Sequence, residues 1–195
     1  MKDLYLHNNI AGKLVLKPLI NNKNDFDLVK DILTDITIMK TSTIFNRNIA
    51  KNDEDIIKVF NKLISYNPID KNIRMFKIYN DKNDFIGIAG FTLLNSFLDI
   101  VEFGFLIKGE FQSKHIGTDI AQFLFKYANK LKNLKNIVIT AYYDNIKSTK
   151  IFEKLGCKVN GYLYKNNNKI ILFSLNDYNL KVAKKYLLVK SNNYN

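Results

Sequence analysis

The sequence predicts a single α/β domain of the α+β type, with a mixed central β-sheet flanked by helices. Three observations predict it. Apolar residues switch repeatedly between a period of two and a period near 3.6. The elements then run strand, two helices, three strands, helix, strand, helix, two strands. One helix lies between two strands of that sheet, which must be parallel or nearly so. No repeat, linker or shift in composition divides the chain. Residues 1–195 are therefore expected to form one domain, its motif-bearing part about 13–176 and its tail 177–195.

Lys13 to Leu19 alternates apolar and polar residues and reads as the first strand. From Asp25, residues Phe26, Val29, Ile32, Leu33 and Ile36 recur at helical spacing. Residues 37–51 are polar and irregular, with Thr41-Ser42-Thr43 in their middle. Asn52-Asp-Glu-Asp55 opens a second helix, because acidic groups suit the exposed amides of a first turn. Ile56, Ile57, Phe60, Leu63 and Ile64 form its apolar stripe, and Pro68 ends the run. Arg74–Tyr79 and Phe85–Leu94 read as strands around the turn Asn80–Asn83, and Asp99–Ile107 as a third. Ile120, Ala121, Leu124, Phe125, Ala128 and Leu131 mark the next helix. Asn136–Tyr142 is rich in β-branched residues and reads as a strand, followed by a helix over 146–155. Lys158–Tyr164 and Lys169–Leu175 form a hairpin over Asn166–Asn168, and Leu180, Ala183 and Leu187 share one possible helical face in the tail.

Composition narrows the class. Hydrophobic content of 47% and charged content of 25% are ordinary for a globular protein. No apolar run approaches the roughly 18 residues that span a bilayer. The N-terminus has no apolar stretch with a small-residue cleavage site. One cysteine makes no internal disulfide, so a reducing, cytoplasmic location is expected, with no membrane partner. The net charge of +12 reads either as a surface for an acidic partner, such as a ribosome, or as a bias toward Lys, Asn and Ile throughout. No dense Lys/Arg block separates the two.

Two segments carry the chemistry. Glu102-Phe-Gly-Phe-Leu-Ile107 runs through Lys108-Gly-Glu-Phe-Gln112-Ser113-Lys114-His115-Ile116-Gly117-Thr118, a strand, a loop and a helix start. About thirty residues on, Asn145-Ile-Lys-Ser148-Thr-Lys-Ile-Phe152-Glu-Lys-Leu-Gly156 is a short helix ended by glycine. The pair, in this order, resembles the GNAT superfamily of acyl-CoA-dependent N-acetyltransferases. The likeness covers roughly residues 13–176, and its strand glutamate and opening strand resemble the branch that acetylates ribosomal-protein N-termini.

The resemblance implies acetyl-CoA as co-substrate, no metal, and a primary amine as acceptor. It assigns the loop Gln112, Ser113, Lys114, His115, Ile116, Gly117 and Thr118 to the pyrophosphate. Free amides at a helix start and the helix dipole suit that anion, and glycine lets the backbone come close. The family pattern Gln/Arg-x-x-Gly-x-Gly/Ala is met at Gln112 and Gly117, while His115 replaces the first glycine. Histidine tolerates left-handed geometry better than most residues, so the turn can survive. Its imidazole either caps the phosphates or points outward. The same resemblance lays the pantetheine arm beside Phe105, Leu106 and Ile107 as an added strand. It brings Asn145, Ser148 and Phe152 to that arm as well. Asn145 alternatively caps its own helix, and Phe152 is otherwise core.

Glu102 sits where many family members carry a strand glutamate near the amine. An α-amine with pKa about 8, or a lysine with about 10.4, must lose a proton before attacking a thioester. Glu102 is thus the candidate base, or else a strand glutamate in solvent or paired with a lysine. Relatives often protonate the leaving thiolate with a tyrosine seven residues past the asparagine. That position is Phe152 here, leaving Tyr142, Tyr143 or solvent. Lys147, Lys150 and Lys154 form a basic helix face, near phosphate or simply solvated. Cys157 follows a helix stop in an apolar context and reads as a structural thiol. His7 and His115 stand far apart with no Cys/His cluster, so zinc and triad chemistry lack support. No P-loop is present.

The expectation is an acetyl-CoA-dependent N-acetyltransferase acting by direct attack in a ternary complex. A protein N-terminus is the leading acceptor and a polyamine-type small amine the second. The alternative is a degenerate CoA- or nucleic-acid-binding module, suggested by His115 and Phe152. Residues 34–52 and the 165–169 turn are expected to shape the acceptor pocket. Monomer and homodimer both remain open.

Overall fold

The computed structural model describes residues 3–43, 52–65, 74–95, 100–131 and 136–175. Eight strands among them form one sheet in the order β1-β2-β3-β4-β5-β6-β8-β7. Their ranges are β1 Leu4–Asn8, β2 Gly12–Pro18, β3 Met75–Tyr79, β4 Phe85–Asn95, β5 Ile100–Ile107, β6 Asn136–Tyr142, β7 Lys158–Lys165 and β8 Asn168–Ser174. The helices are α1 Lys23–Thr34, α2 Ile36–Met39, α3 Asp53–Ile64, α4 Ile116–Asn129 and α5 Ile146–Lys154, with a one-turn 3₁₀ helix at Gly109–Phe111.

Strands β1 to β5 are antiparallel neighbours in sequence order, with α1, α2 and α3 inserted between β2 and β3. Helix α4 carries the chain back across the sheet, so β6 lies parallel to β5, as a strand–helix–strand crossover requires. The β7–β8 hairpin returns with β8 inside, antiparallel to β6.

Each face of the sheet is covered. Ile120, Ala121, Leu124 and Phe125 of α4 pack on Val101, Phe103, Ile137 and Ile139. Val29, Ile32 and Leu33 of α1 and Ile56, Phe60 and Leu63 of α3 pack on Met75, Ile88 and Leu106. Most residues of the predicted apolar stripes are the buried ones, because only those faces can leave water, while Ile36 and Ile57, also placed in the stripes, are exposed.

Two expectations change. Strand β1 was not foreseen; its apolar side chains are half-exposed, and it gains its backbone partners only by pairing Leu4–Asn8 with Gly12–Leu16. The helix expected to run through Ile36 stops at Thr34, and α2 begins at Ile36 and runs into the segment read as irregular. Asp35 leaves helical geometry at φ −75°, ψ 107°, and its carboxylate accepts from Thr37 N and Ile38 N to start the new turn. The Thr37 hydroxyl, donating at 2.6 Å, together with those amides holds the Asp35 carboxyl below its ordinary value. Pro68, Asp99 and the tail face of Leu180, Ala183 and Leu187 lie outside the described residues.

A buried ion pair ties α1 to the sheet. Lys77 Nζ on β3 donates to Asp25 Oδ1 at 2.6 Å, with the side chains 10% and 1% exposed. Asp25 Oδ2 also accepts from Ile20 N at 2.8 Å. Desolvation opposes such a pair, and losing one member strands the other charge. Asp25→Ala is expected to cost about 3–5 kcal/mol in urea unfolding, and the double change Asp25→Leu with Lys77→Met much less. Equal losses in the two proteins would show that the pairing is not what holds α1.

Candidate active site

Strand β5 loses one of its two partners halfway along. Its pairing with β6 runs from Ile100↔Asn136 to Phe103↔Ile139 and goes no further. Beyond that point β5 stays with β4 as far as Ile107↔Gly87, and β6 stays with β8 as far as Tyr142↔Ile170. Two parallel strands drawn toward opposite neighbours leave a split in the sheet. Gly87 allows the close approach on one side, since a Cβ there would lie 2.1 Å from the Leu106 carbonyl oxygen. The buried Phe152 ring packs against Phe103 and Phe105 of β5, at 6.3 and 6.0 Å, and against Phe173 of β8, at 5.7 Å. It thus lies under both sides of the split.

Two depressions open on this split. The larger, ≈ 310 Å³, runs from Phe105–Ile107 past Phe111 to Gln112, Ser113 and His115–Thr118, but not the expected Lys114, and along the α5 face of Lys147, Ser148, Ile151 and Lys154. The smaller, ≈ 40 Å³, holds Glu102, Thr140, Phe152 and the segment Thr41–Thr43. One water needs about 10–15 Å³ on such a measure, so the smaller space admits more than a single water. Thr41, Ser42, Phe105, Asn145 and Ser148 line both, which makes them two ends of one opening.

The loop at the large end is shaped by backbone. Ser113 and His115 both take left-handed conformations, at φ 60° and 59°. His115 therefore does hold the turn that glycine holds in the family pattern, and its side chain is exposed and caps nothing. The first α4 hydrogen bond is Asp119 N to His115 O at 3.1 Å. The amides of Ile116, Gly117 and Thr118 thus lie in the turn where a helix supplies no acceptor of its own. Gly117 also lets α4 sit on β5, because a Cβ there would lie 3.2 Å from the Phe105 ring. Gln112 Nε2 donates to the Ile107 carbonyl at 2.9 Å and pins the loop to the strand end. That carbonyl was expected to face the pantetheine arm, and it already carries this bond.

Helix α5 forms the other wall. Asn145 Oδ1 accepts from Ser148 N at 3.2 Å, the predicted cap, and Asn145 Nδ2 reaches Thr41 O at 3.0 Å. Lys147 Nζ spans to Ser113 Oγ at 3.3 Å, and Lys150 and Lys154 also line the large depression. Three lysines beside a helix N-terminus make a strongly electropositive groove.

Glu102 lies at the small end, where Thr140 Oγ1 donates to its Oε1 at 2.8 Å. Tyr142 is 1% exposed and lines neither depression, so the structure does not bring it to Glu102's space as a proton donor. The exposed Tyr143 lies under Lys169 Nζ at 4.2 Å instead. Asn8 was not singled out, yet its Nδ2 donates to Asp119 Oδ2 at 2.7 Å and to Lys114 O at 3.4 Å, bracing the loop from β1. No local signal reveals a bond across more than a hundred residues. Thr140 was also missed as a site residue, whereas Thr41–Thr43 fall within residues 34–52, the segment expected to shape the acceptor pocket.

The family model for the acetyltransferase (GNAT) domain matches residues 13–158, about three-quarters of the chain. The chain belongs to the GNAT acetyltransferase family, and it is an N-acetyltransferase. No curated protein sequence matches it. Among solved structures, it is similar to a GNAT-family acetyltransferase from Bacillus anthracis, with 19% identity over 88% of this chain and 98% of that one, at a TM-score of 0.64. It is similar to spermidine N-acetyltransferase from Vibrio cholerae, solved with CoA and spermine, at 18% identity, 83% and 94% coverage and a TM-score of 0.68. It is also similar to RimL, a ribosomal α-N-protein acetyltransferase solved with coenzyme A, at 13% identity, 83% and 92% coverage and a TM-score of 0.65. These identities make the likeness one of fold, which is the fold expected from the two motifs.

Groups of His, Cys, Asp and Glu arranged to hold a metal are absent among the described residues, and no described helix is long and apolar enough to cross a membrane. Cys157 is 7% exposed within the α4-side core, and burial pushes its thiol from 9.0 up to about 11. The folded value lies above the unfolded one, so this contribution to stability is intact below pH 9.0 and is lost as pH rises toward about 11. Urea unfolding of wild type should therefore weaken more steeply from pH 9 to 11 than that of Cys157→Ala. Parallel slopes would contradict a buried neutral thiol.

Proposed function

We propose that the protein transfers an acetyl group from acetyl-CoA to a primary amine, the N-terminus of a protein, by direct attack within a ternary complex. One observation carries this reading: a loop with open helix-start amides and a carboxylate stand at the two ends of one opening in the sheet. Acetyl-CoA supplies the thioester carbon. The amides of Ile116–Thr118, with Lys147 and its neighbours, suit the pyrophosphate. Phe105 and Leu106 border the split where an added strand can pair, Ser148 lines both ends and Phe152 the small one. Glu102 takes the ammonium proton directly or through water. With Phe152 lacking a hydroxyl and Tyr142 buried away from both depressions, solvent protonates the departing thiolate.

Charge supports this choice of acceptor. A net charge of +12 disfavours a free polycation and tolerates a single amine on an acidic or neutral protein. Polyamine acetylation is the second reading, favoured by the likeness to the spermidine enzyme. A binding module without turnover loses ground because His115 preserves the loop and Glu102 faces the same opening.

Calorimetry with acetyl-CoA and thiol release with spermidine and with N-terminal peptides test the proposal. Saturable binding and release with one amine class are expected; no binding sinks the assignment of the loop. Gly117→Val is expected to weaken acetyl-CoA binding about tenfold or more by pushing α4 off Phe105. Glu102→Gln is expected to lower kcat by about 10²-fold or more with acetyl-CoA affinity retained, and an unchanged kcat removes it as the base.

A further inference from the structure

The small end of the opening holds three side chains joined in series. Thr140 is the first β6 residue past the last β5–β6 pair, Phe103↔Ile139. Its Oγ1 donates to Glu102 Oε1 at 2.8 Å. Thr43 Oγ1 lies 2.9 Å from Thr140 Oγ1 and 3.3 Å from the Thr140 carbonyl. The direction of the series follows from proton counting. An ionised carboxylate only accepts, and a hydroxyl has one proton to give. The Thr140 proton is committed to Glu102, so Thr43 is the donor of this contact, its one proton shared between Thr140 Oγ1, the nearer acceptor, and the Thr140 carbonyl.

We propose that Thr140 and Thr43 are positioning residues for Glu102, forming a hydroxyl chain that also ties the base to the acceptor-side segment Thr41–Thr43. The proposal rests on the reading of Glu102 as the base. A β-branched threonine on a strand has little χ1 freedom, so its hydroxyl holds the carboxylate in one rotamer. A hydroxyl does this without adding a charge beside the site where an ammonium must arrive. The same segment is held from the far side, where Asn145 Nδ2 donates to Thr41 O at 3.0 Å. Thr41–Thr43 is thus bound to α5 at one end and to the base at the other. An amine entering the ≈ 40 Å³ space touches this segment and Glu102 together. A shift of the segment on acceptor binding passes through Thr43 and Thr140 to the carboxylate.

The test compares Thr140→Val, which keeps the shape and removes the hydroxyl, with Thr140→Ser, which keeps the hydroxyl, and adds Thr43→Val and Glu102→Gln. Thiol release is followed with acetyl-CoA and either spermidine or an N-terminal hexapeptide, and acetyl-CoA Kd by calorimetry. Thr140→Val is expected to lower kcat about tenfold or more, the loss of one hydrogen bond to a charged group. Thr140→Ser recovers most of it, Thr43→Val gives a smaller loss, and acetyl-CoA Kd stays unchanged in all. A second readout needs no acceptor. Glu102 is one of four glutamates, so carbon-13 labelling of glutamate carboxyls gives a spectrum in which Glu102→Gln identifies its signal. Thr140→Val is expected to move that signal and Thr140→Ser to leave it near its place. Wild-type turnover in Thr140→Val with a slow Glu102→Gln overturns the chain and leaves the base standing. Wild-type turnover in both overturns the base and the chain together. An unmoved Glu102 signal in Thr140→Val overturns the chain by itself.

Discussion

The short pairing between β5 and β6 is the constraint on which the rest of the molecule depends. Parallel neighbours joined by a helix are free to pair along their whole length, yet these two part after Phe103 and Ile139. Each is held by an antiparallel partner on its other side, and those ladders continue after the parallel one ends. Sheet twist turns the two ladders away from one another. Phe152 then packs under the gap, against Phe103, Phe105 and Phe173. Backbone groups that elsewhere would be spent on the sheet are left bordering a passage.

The two ends of that passage are built by different means. At the large end the protein uses backbone: left-handed Ser113 and His115, the open first turn of α4, and a glycine that lets helix and strand touch. Side chains brace this loop rather than form it, with Gln112 holding Ile107 and Asn8 holding Lys114 and Asp119. At the small end the protein uses side chains: Glu102 with Thr140 and Thr43 behind it. An anion with many oxygens suits an array of amides, whereas one proton needs a single placed carboxylate. Helix α5 serves both ends, as its cap Asn145 reaches Thr41 while its lysines line the groove.

The α1 side of the sheet contributes stability and location. The Asp25–Lys77 pair anchors α1 to β3 and places α2 and Thr41–Thr43 over the opening. Asp35 makes this possible by ending one helix and starting the next within a single residue. A straight continuation of α1 would carry this segment away from Glu102.

Much of this was legible in the sequence. Periodicity marked seven of the eight strands and the faces of α1, α3 and α4, because burial selects the apolar residues at those spacings. The two motifs indicated the family and its fold, and the loop, Glu102, Asn145, Ser148 and Phe152 do converge on one opening. Strand β1 was not legible, since a half-exposed edge strand exists by pairing with β2 rather than by its own pattern. The break at Asp35 was hidden because apolar spacing runs on through Ile36, while the cap is decided by a carboxylate meeting two amides. Tyr142 looked like a proton donor by type and nearness in sequence, and only the packing shows it buried away from both depressions. Local chemistry — helix starts, turns, apolar stripes and a phosphate-type loop — was written in neighbouring residues. Which side chains share a space, as Thr43, Thr140 and Glu102 do across 97 and 38 residues, was decided by the sheet that brought those strands together.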